Sequence, residues 1–151
     1  MVDREGLRAI LGPLGASRSQ SYWYLLLWPD RVVAWPYTVA ESWRLELSRQ
    51  VFFIPGPRNP ILSENPSEFA HALERATVRT YLRGEISSLT LRHRVLRNGI
   101  EIWRTGGSCD RYFIQFRSLT AACGDAFRMA YPDLYRETGV PTSLVGRLLK
   151  R

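Results

Sequence analysis

Glu85-Ile86-Ser87-Ser88-Leu89-Thr90-Leu91-Arg92-His93-Arg94-Val95-Leu96-Arg97, then Asn98-Gly99, then Ile100-Glu101-Ile102-Trp103-Arg104, is the stretch on which the fold turns. Apolar and polar residues alternate on both sides of Asn-Gly, the pair that best tolerates the positive φ of a type I′ hairpin turn. With Asn98 and Gly99 as the two turn residues, Arg97 pairs with Ile100, Val95 with Ile102 and Arg94 with Trp103. That register gathers Leu89, Leu91, Val95, Ile100 and Ile102 on one face and Arg92, Arg94, Glu101 and Trp103 on the other. A slip of one residue would mix the two sets. A loop from Thr105 to Cys109 leads to Tyr112, Ile114 and Phe116, which alternate with Phe113, Gln115 and Arg117, so a three-stranded antiparallel meander is expected. Ser118 is placed to cap a helix along which Leu119, Cys123, Ala126, Phe127 and Ala130 recur every three or four residues, and Pro132 ends it. Such a stripe should lie on the apolar face of the meander.

Upstream, Asp3 is a candidate cap for a first helix carrying Leu7, Ile10 and Leu11, stopped by Gly12-Pro13, with a polar loop from Gly15 to Ser21. Tyr22 to Trp28 and Arg31 to Tyr37 read as two strands around a Pro29-Asp30 turn. They are apolar on both faces, which means either cover on both sides within the chain or a homodimer interface through residues 22–37. Thr38 to Glu41 matches a capping box, so residues 38–50 lean to a helix, although Trp43, Leu45 and Leu47 also alternate as a strand would. Phe52 to Ile54 is a short extended piece, and Pro55 to Pro66 an irregular proline-rich loop. Ser67 should cap a middle helix running to about Tyr81, with Gly84 ending it. Beyond Gly139, the segment with Leu144, Val145, Leu148 and Leu149 can form a short basic tail helix over 139–151.

At 151 residues the chain is expected to form a single domain, 1–151. Its longest apolar run, Tyr22 to Trp28, is too short for a membrane span, and its first residues lack the layout of a signal peptide. Two cysteines without metal-ligand spacing predict free thiols in a reducing cytoplasm, with no cofactor and no metal. The net charge of +7 is unevenly spread: residues 1–74 carry seven Arg against eight acids, whereas residues 75–117 carry nine Arg against three. A local positive field attracts anionic partners such as lipid headgroups, nucleic acid or an acidic protein. Carboxylates do not cluster for paired acid–base work, and no catalytic residues are assigned. His93, on the apolar face, should find a hydrogen-bond partner, and His71 should face solvent. Cys109, beside Asp110 and Arg111, is the one candidate reactive thiol, with His93 as its conceivable base, whereas Cys123 on the helix stripe should be inert. Thr105 to Ser108 offers backbone amides to an anion beside Arg104 and Arg111, or serves simply as a glycine-rich connection.

An aromatic hairpin (Tyr22 to Tyr37), a meander opening on Glu85-Ile86 and running through Phe116, and a closing amphipathic helix (Leu119 to Tyr131) resemble the bacterial PH-like, or pleckstrin-homology-like, domains. The resemblance implies an α+β fold: two antiparallel sheets forming a roll or partly open barrel, closed by the C-terminal helix, here with an additional helix in the middle segment. It also implies a non-enzymatic binding or adaptor module. Inositide-binding members carry basic residues in the first hairpin, and the turn Trp28-Pro29-Asp30-Arg31 holds one Arg and one acid, so that ligand is not implied. The binding residues expected instead are Arg92, Arg94, Arg97, Trp103, Arg104 and Arg111, an Arg-rich sheet face for a protein partner or an anionic ligand. In the expected register Arg94 can stack on Trp103, which makes a nucleic-acid platform the alternative. Peripheral membrane contact through the basic tail is a further option.

Overall fold

The computed structural model describes residues 4–16, 21–38 and 60–139. The expected helix at 38–50, the extended piece at 52–54, most of the proline-rich loop and the tail helix lie outside these residues. Within them the fold is α+β. Eight strands form one sheet: β1 (Ala9–Ala16), β2 (Ser21–Leu27), β3 (Arg31–Thr38), β4 (Arg79–Leu82), β5 (Ile86–Arg92), β6 (Gly99–Arg104), β7 (Cys109–Ile114) and β8 (Tyr135–Thr138). Their spatial order is β4-β3-β2-β1-β7-β6-β5-β8, antiparallel except where β8 runs parallel to β5. Two helices complete it, α1 (Pro66–Arg75) and α2 (Leu119–Ala130).

The expected pair of separate sheets is corrected to this single one, and β1 is the reason. Residues 9–16, expected to be part helix and part loop, are a strand that joins the hairpin to the meander. Ala9 to Leu11 pair with Leu27 to Leu25 of β2; after a bulge, Leu14 lies between Trp23 of β2 and Ile114 of β7. Ile10 and Leu11, which helical spacing would put on one side, face opposite clusters: Leu11 enters the inner core, whereas Ile10 and Leu7 pack on the outer one. Gly12-Pro13 sits at the bulge, where the missing proline amide breaks no ladder bond.

The sheet curls tightly. β4 and β7 are four strand spacings apart, about 19 Å on a flat sheet, yet the hydroxyls of Tyr81 and Tyr112 are 2.7 Å apart. Tyr81 also donates to Asp110 at 2.6 Å, so the side chains stitch the two strands across the hollow. Into that hollow α2 lays Cys123 and Phe127, with Leu119, Ala126 and Ala130 at its margins, against Leu14, Leu25, Leu89, Leu91, Ile100 and Ile102. The helix therefore covers the apolar face of the meander as its stripe required. On the outside of β2 and β3, Tyr24, Leu26, Val33 and Trp35 are covered by Phe69, Ala72 and Leu73 of α1 and by Ile61. Both faces of the aromatic hairpin are thus buried within one chain, which removes the reason for expecting a homodimer through residues 22–37.

Three further expectations are corrected. The middle helix stops at Arg75 rather than Tyr81, because Thr77-Val78-Arg79-Thr80-Tyr81 is β-branched and aromatic and its inward tyrosine pairs β4 with Val32. Its cap is Asn65, whose side chain accepts from the Ser67 amide at 3.0 Å, with Pro66 in the first turn. Ser118 (φ −60°, ψ −24°) caps nothing: the amides of Leu119 and Thr120 already donate to the carbonyls of Phe116 and Arg117.

The largest correction is the Asn98-Gly99 hairpin. Ile100 pairs with Leu91, Ile102 with Leu89 and Trp103 with Ser88, so the register is displaced by six residues and residues 93–98 form the connection. The displacement puts Leu91 and Leu89, in place of Arg97 and Val95, opposite Ile100 and Ile102 on the inner face. Asn98 is a buried bracket: its Oδ1 accepts from the Arg94 amide at 3.1 Å, and its Nδ2 donates to Thr120 Oγ1 at 3.0 Å. Its carbonyl also accepts from the Ile114 amide at 2.9 Å. Asn98→Ala should cost about 1–3 kcal/mol by stranding the Arg94 amide, read as a lower urea midpoint, with faster amide exchange confined to 93–98.

Candidate functional site

The five arginines and one tryptophan expected to form one basic face divide into two groups. Glu101, on β6, projects between Arg92 of β5 and Arg111 of β7 because the three are cross-strand neighbours or nearly so. Its carboxylate accepts from Arg92 Nε at 2.7 Å and from Arg111 Nε at 2.9 Å, and the residue is 2% exposed. The same carboxylate raises the Arg111 pKa further. Arg104 lies 3.1 Å from Asp110 Oδ2, with its guanidinium 5.0 Å from the centre of the Tyr81 ring. Three of the expected cations are therefore held by two carboxylates. Trp103 is half-buried opposite Ser88 and Cys109, so the Arg94–Trp103 stack is replaced by others: Arg79 over Trp23 at 4.6 Å and Arg83 over Tyr131 at 5.0 Å.

Arg94 and Arg97 stand apart, exposed on the 93–98 connection and without an ion-pair partner among the described residues. Sequence reasoning missed what surrounds them. Val95 and Leu96 are 79% and 88% exposed at the same tip. The turn before α2 lies alongside, where Phe116 is 55% exposed and Arg117 donates to the Val95 carbonyl at 2.5 Å. Bracketed by Asn98, this is a fixed basic and apolar promontory. Arg97 was the available signal, since the two-residue turn would have put its guanidinium opposite Ile100 on the apolar face.

Two of the four amides in the expected anion cradle at Thr105 to Ser108 are already engaged within the chain. The Thr105 amide donates to Glu85, the Gly107 amide to Arg104, and the Arg104 amide to Ser108, leaving a hairpin connection with Gly107 at φ 89°. Cys109 and His93 sit at opposite ends of the meander: Cys109 pairs with Trp103 opposite Ser88, five residues or about 17 Å along β5 from His93. They cannot act as a nucleophile and base. His93 is partnered, its Nε2 lying 3.3 Å from Glu137 Oε1, and His71 is exposed. Among the described residues no three of His, Cys, Asp and Glu form a metal-holding group, and no helix is long and apolar enough to cross a membrane. A cleft of about 770 Å³ between α1 and the Trp35 edge of β3 holds Arg75, Arg79 and His71 but also Glu68, so its charge is mixed.

Burial, with Glu101 second, pushes the Cys109 thiol up, and burial alone takes Cys123 from 9.0 to about 11. Burial also raises Tyr131, whose hydroxyl donates to the Trp28 carbonyl, from 10.0 to about 12. In the folded state these groups keep protons that the unfolded chain releases at lower pH. The stability they contribute is full below about pH 9 and is lost as pH rises through about 11 to 12. Melting temperature should therefore fall above pH 9, and Cys123→Ala should flatten the earlier part of that fall. A melting curve flat to pH 12 would remove this account of the two groups.

No family model matches the chain, and no curated protein matches it.

Proposed function

We propose that this chain is a non-enzymatic binding module of PH-like type that recognises an anionic partner surface through Arg94, Arg97 and Arg117, the arginines of its basic tip. The curled sheet whose hollow is filled by α2 supports the PH-like reading, because a helix closing a rolled β-structure is the part of the implied arrangement it shares, although one sheet stands where two were implied. The observation that carries the binding reading is the separation of charges. Arg92, Arg104 and Arg111 are ion-paired with Glu101 and Asp110, whereas Arg94, Arg97 and Arg117 project with no carboxylate against them among the described residues. Guanidinium groups that face no carboxylate of their own are available to a bidentate anion. The nucleic-acid alternative loses its stacking platform, since Trp103 lies far along the sheet from Arg94.

The test is retention on immobilised heparin. The chain should bind at low salt and elute at a defined ionic strength, and Arg94→Glu with Arg97→Glu should elute far earlier. Arg75→Glu, on the exposed face of α1, should shift elution little. Equal elution of the double variant and the parent would refute the tip as the contact site.

A further inference from the structure

We infer that the anionic surface is a lipid bilayer and that Val95, Leu96 and Phe116 enter it within a collar formed by Arg94, Arg97 and Arg117. This inference rests on the basic-tip reading and adds the class of partner. Two consecutive aliphatic residues at 79% and 88% exposure, with a half-exposed aromatic beside them, form a protrusion rather than a groove. A protrusion of this kind can enter a soft apolar phase without a preformed groove to receive it. The cations sit where headgroups would be: Arg94 and Arg97 immediately flank the aliphatic pair in the chain, and Arg117 reaches across to the Val95 carbonyl.

The tip is also built to keep its shape. Asn98 ties the Arg94 amide to Thr120 at the start of α2, so the aliphatic pair is presented by the core itself. The chain leaves the described region at the same end: Thr138 pairs with Arg92, and a side chain at Gly139 would strike the His93 carbonyl. Apolar insertion joined to a basic patch is the two-part signal that makes interfacial attachment reversible yet selective for anionic lipid. Against nucleic acid, the same aliphatic pair would gain nothing from a phosphate backbone.

The experiment is co-sedimentation of the full chain with vesicles of phosphatidylcholine alone or mixed with phosphatidylglycerol, beside heparin retention. Binding is expected to the mixed vesicles and not to phosphatidylcholine. Removing one arginine should weaken it about fivefold. Val95→Ser with Leu96→Ser should weaken it about tenfold to a hundredfold while leaving heparin elution unchanged. With Arg94 or Arg97 as the arginine removed, all the changed positions are exposed, so folding is not at stake. If the Ser double variant binds mixed vesicles like the parent, insertion is refuted and the basic-tip reading survives. If the parent is retained on heparin but ignores vesicles, the bilayer is refuted in favour of a nucleic acid or an acidic protein. If the parent ignores both, the inference and the reading beneath it fall together.

Discussion

Phe127→Ala is expected to lower the stability of the chain by about 3–5 kcal/mol, the usual cost of emptying a fully buried phenylalanine site. That is a large part of the total of about 5–15 kcal/mol that holds a domain of ordinary size. Phe127 is 1% exposed, lies parallel to the Tyr135 ring at 6.4 Å, and accepts the Tyr131 amide at the helix end. Its side chain fills the hollow between the two arms of the curled sheet, so the cavity left behind would be walled by β-strands that cannot collapse without breaking ladder bonds. Met129, two residues on and 85% exposed, supplies the contrast. Met129→Ala should change stability by less than about 0.5 kcal/mol. Urea unfolding of the two variants separates the cases, and similar midpoints would mean that α2 does not close the sheet.

Glu101→Gln should have two effects of opposite sign. Stability should fall by about 1–2 kcal/mol, less than a fully buried charged pair would lose because Arg92 and Arg111 are 38% and 54% exposed at their side chains. Glutamine offers one acceptor oxygen where two were used, and its amide nitrogen would face a guanidinium that can only donate. Polyanion binding should strengthen, because two masked cations are released on the outer face. Two additional phosphate contacts would steepen the dependence of log affinity for duplex DNA on log salt by about 1.8. Heparin elution at or below the parent's ionic strength would show that Glu101 is not what masks those arginines.

How much of this was legible beforehand depends on which interactions decide each element. Period-two and period-four patterns fixed the aromatic hairpin, the inward set of Leu89, Leu91, Ile100 and Ile102, and the helix stripe through Cys123 and Phe127, because each pattern is set by burial on one face. The hairpin register was not legible from alternation. A displacement of six residues is even, so it keeps every side chain on its face; what selects the true register is the burial of two leucines and the bracket made by Asn98 with Thr120. The latter is a contact across 22 residues that local turn chemistry does not contain. β1 escaped for a related reason. Ile10 and Leu11 serve two separate clusters, and an i, i+3, i+4 spacing of apolar residues looks the same whether one core or two receives them.

The candidate site shows the same division. Residue type and charge density pointed to residues 92–111, and arginine stacking on aromatic rings does occur, but with other partners. Which arginines are paired was invisible, because Glu101 bridges Arg92 and Arg111 from neighbouring strands. Which apolar residues are exposed was hidden by the register: Val95 belongs to the core in one pairing and to the tip in the other. Once the register is known, Arg94, Val95, Leu96 and Arg97 fall together, and the hydrogen bond from Arg117 to the Val95 carbonyl adds the third arginine.

The most direct measurement is a titration of the uniformly nitrogen-15-labelled chain with a short-chain phosphatidylglycerol, followed through its backbone amides. Shift changes confined to residues 93–98 and 115–118, with β6, β7 and α1 unmoved, are the predicted result. Changes centred instead on Arg104, Arg111 and the outer face of β6 and β7, or none at all, would contradict it.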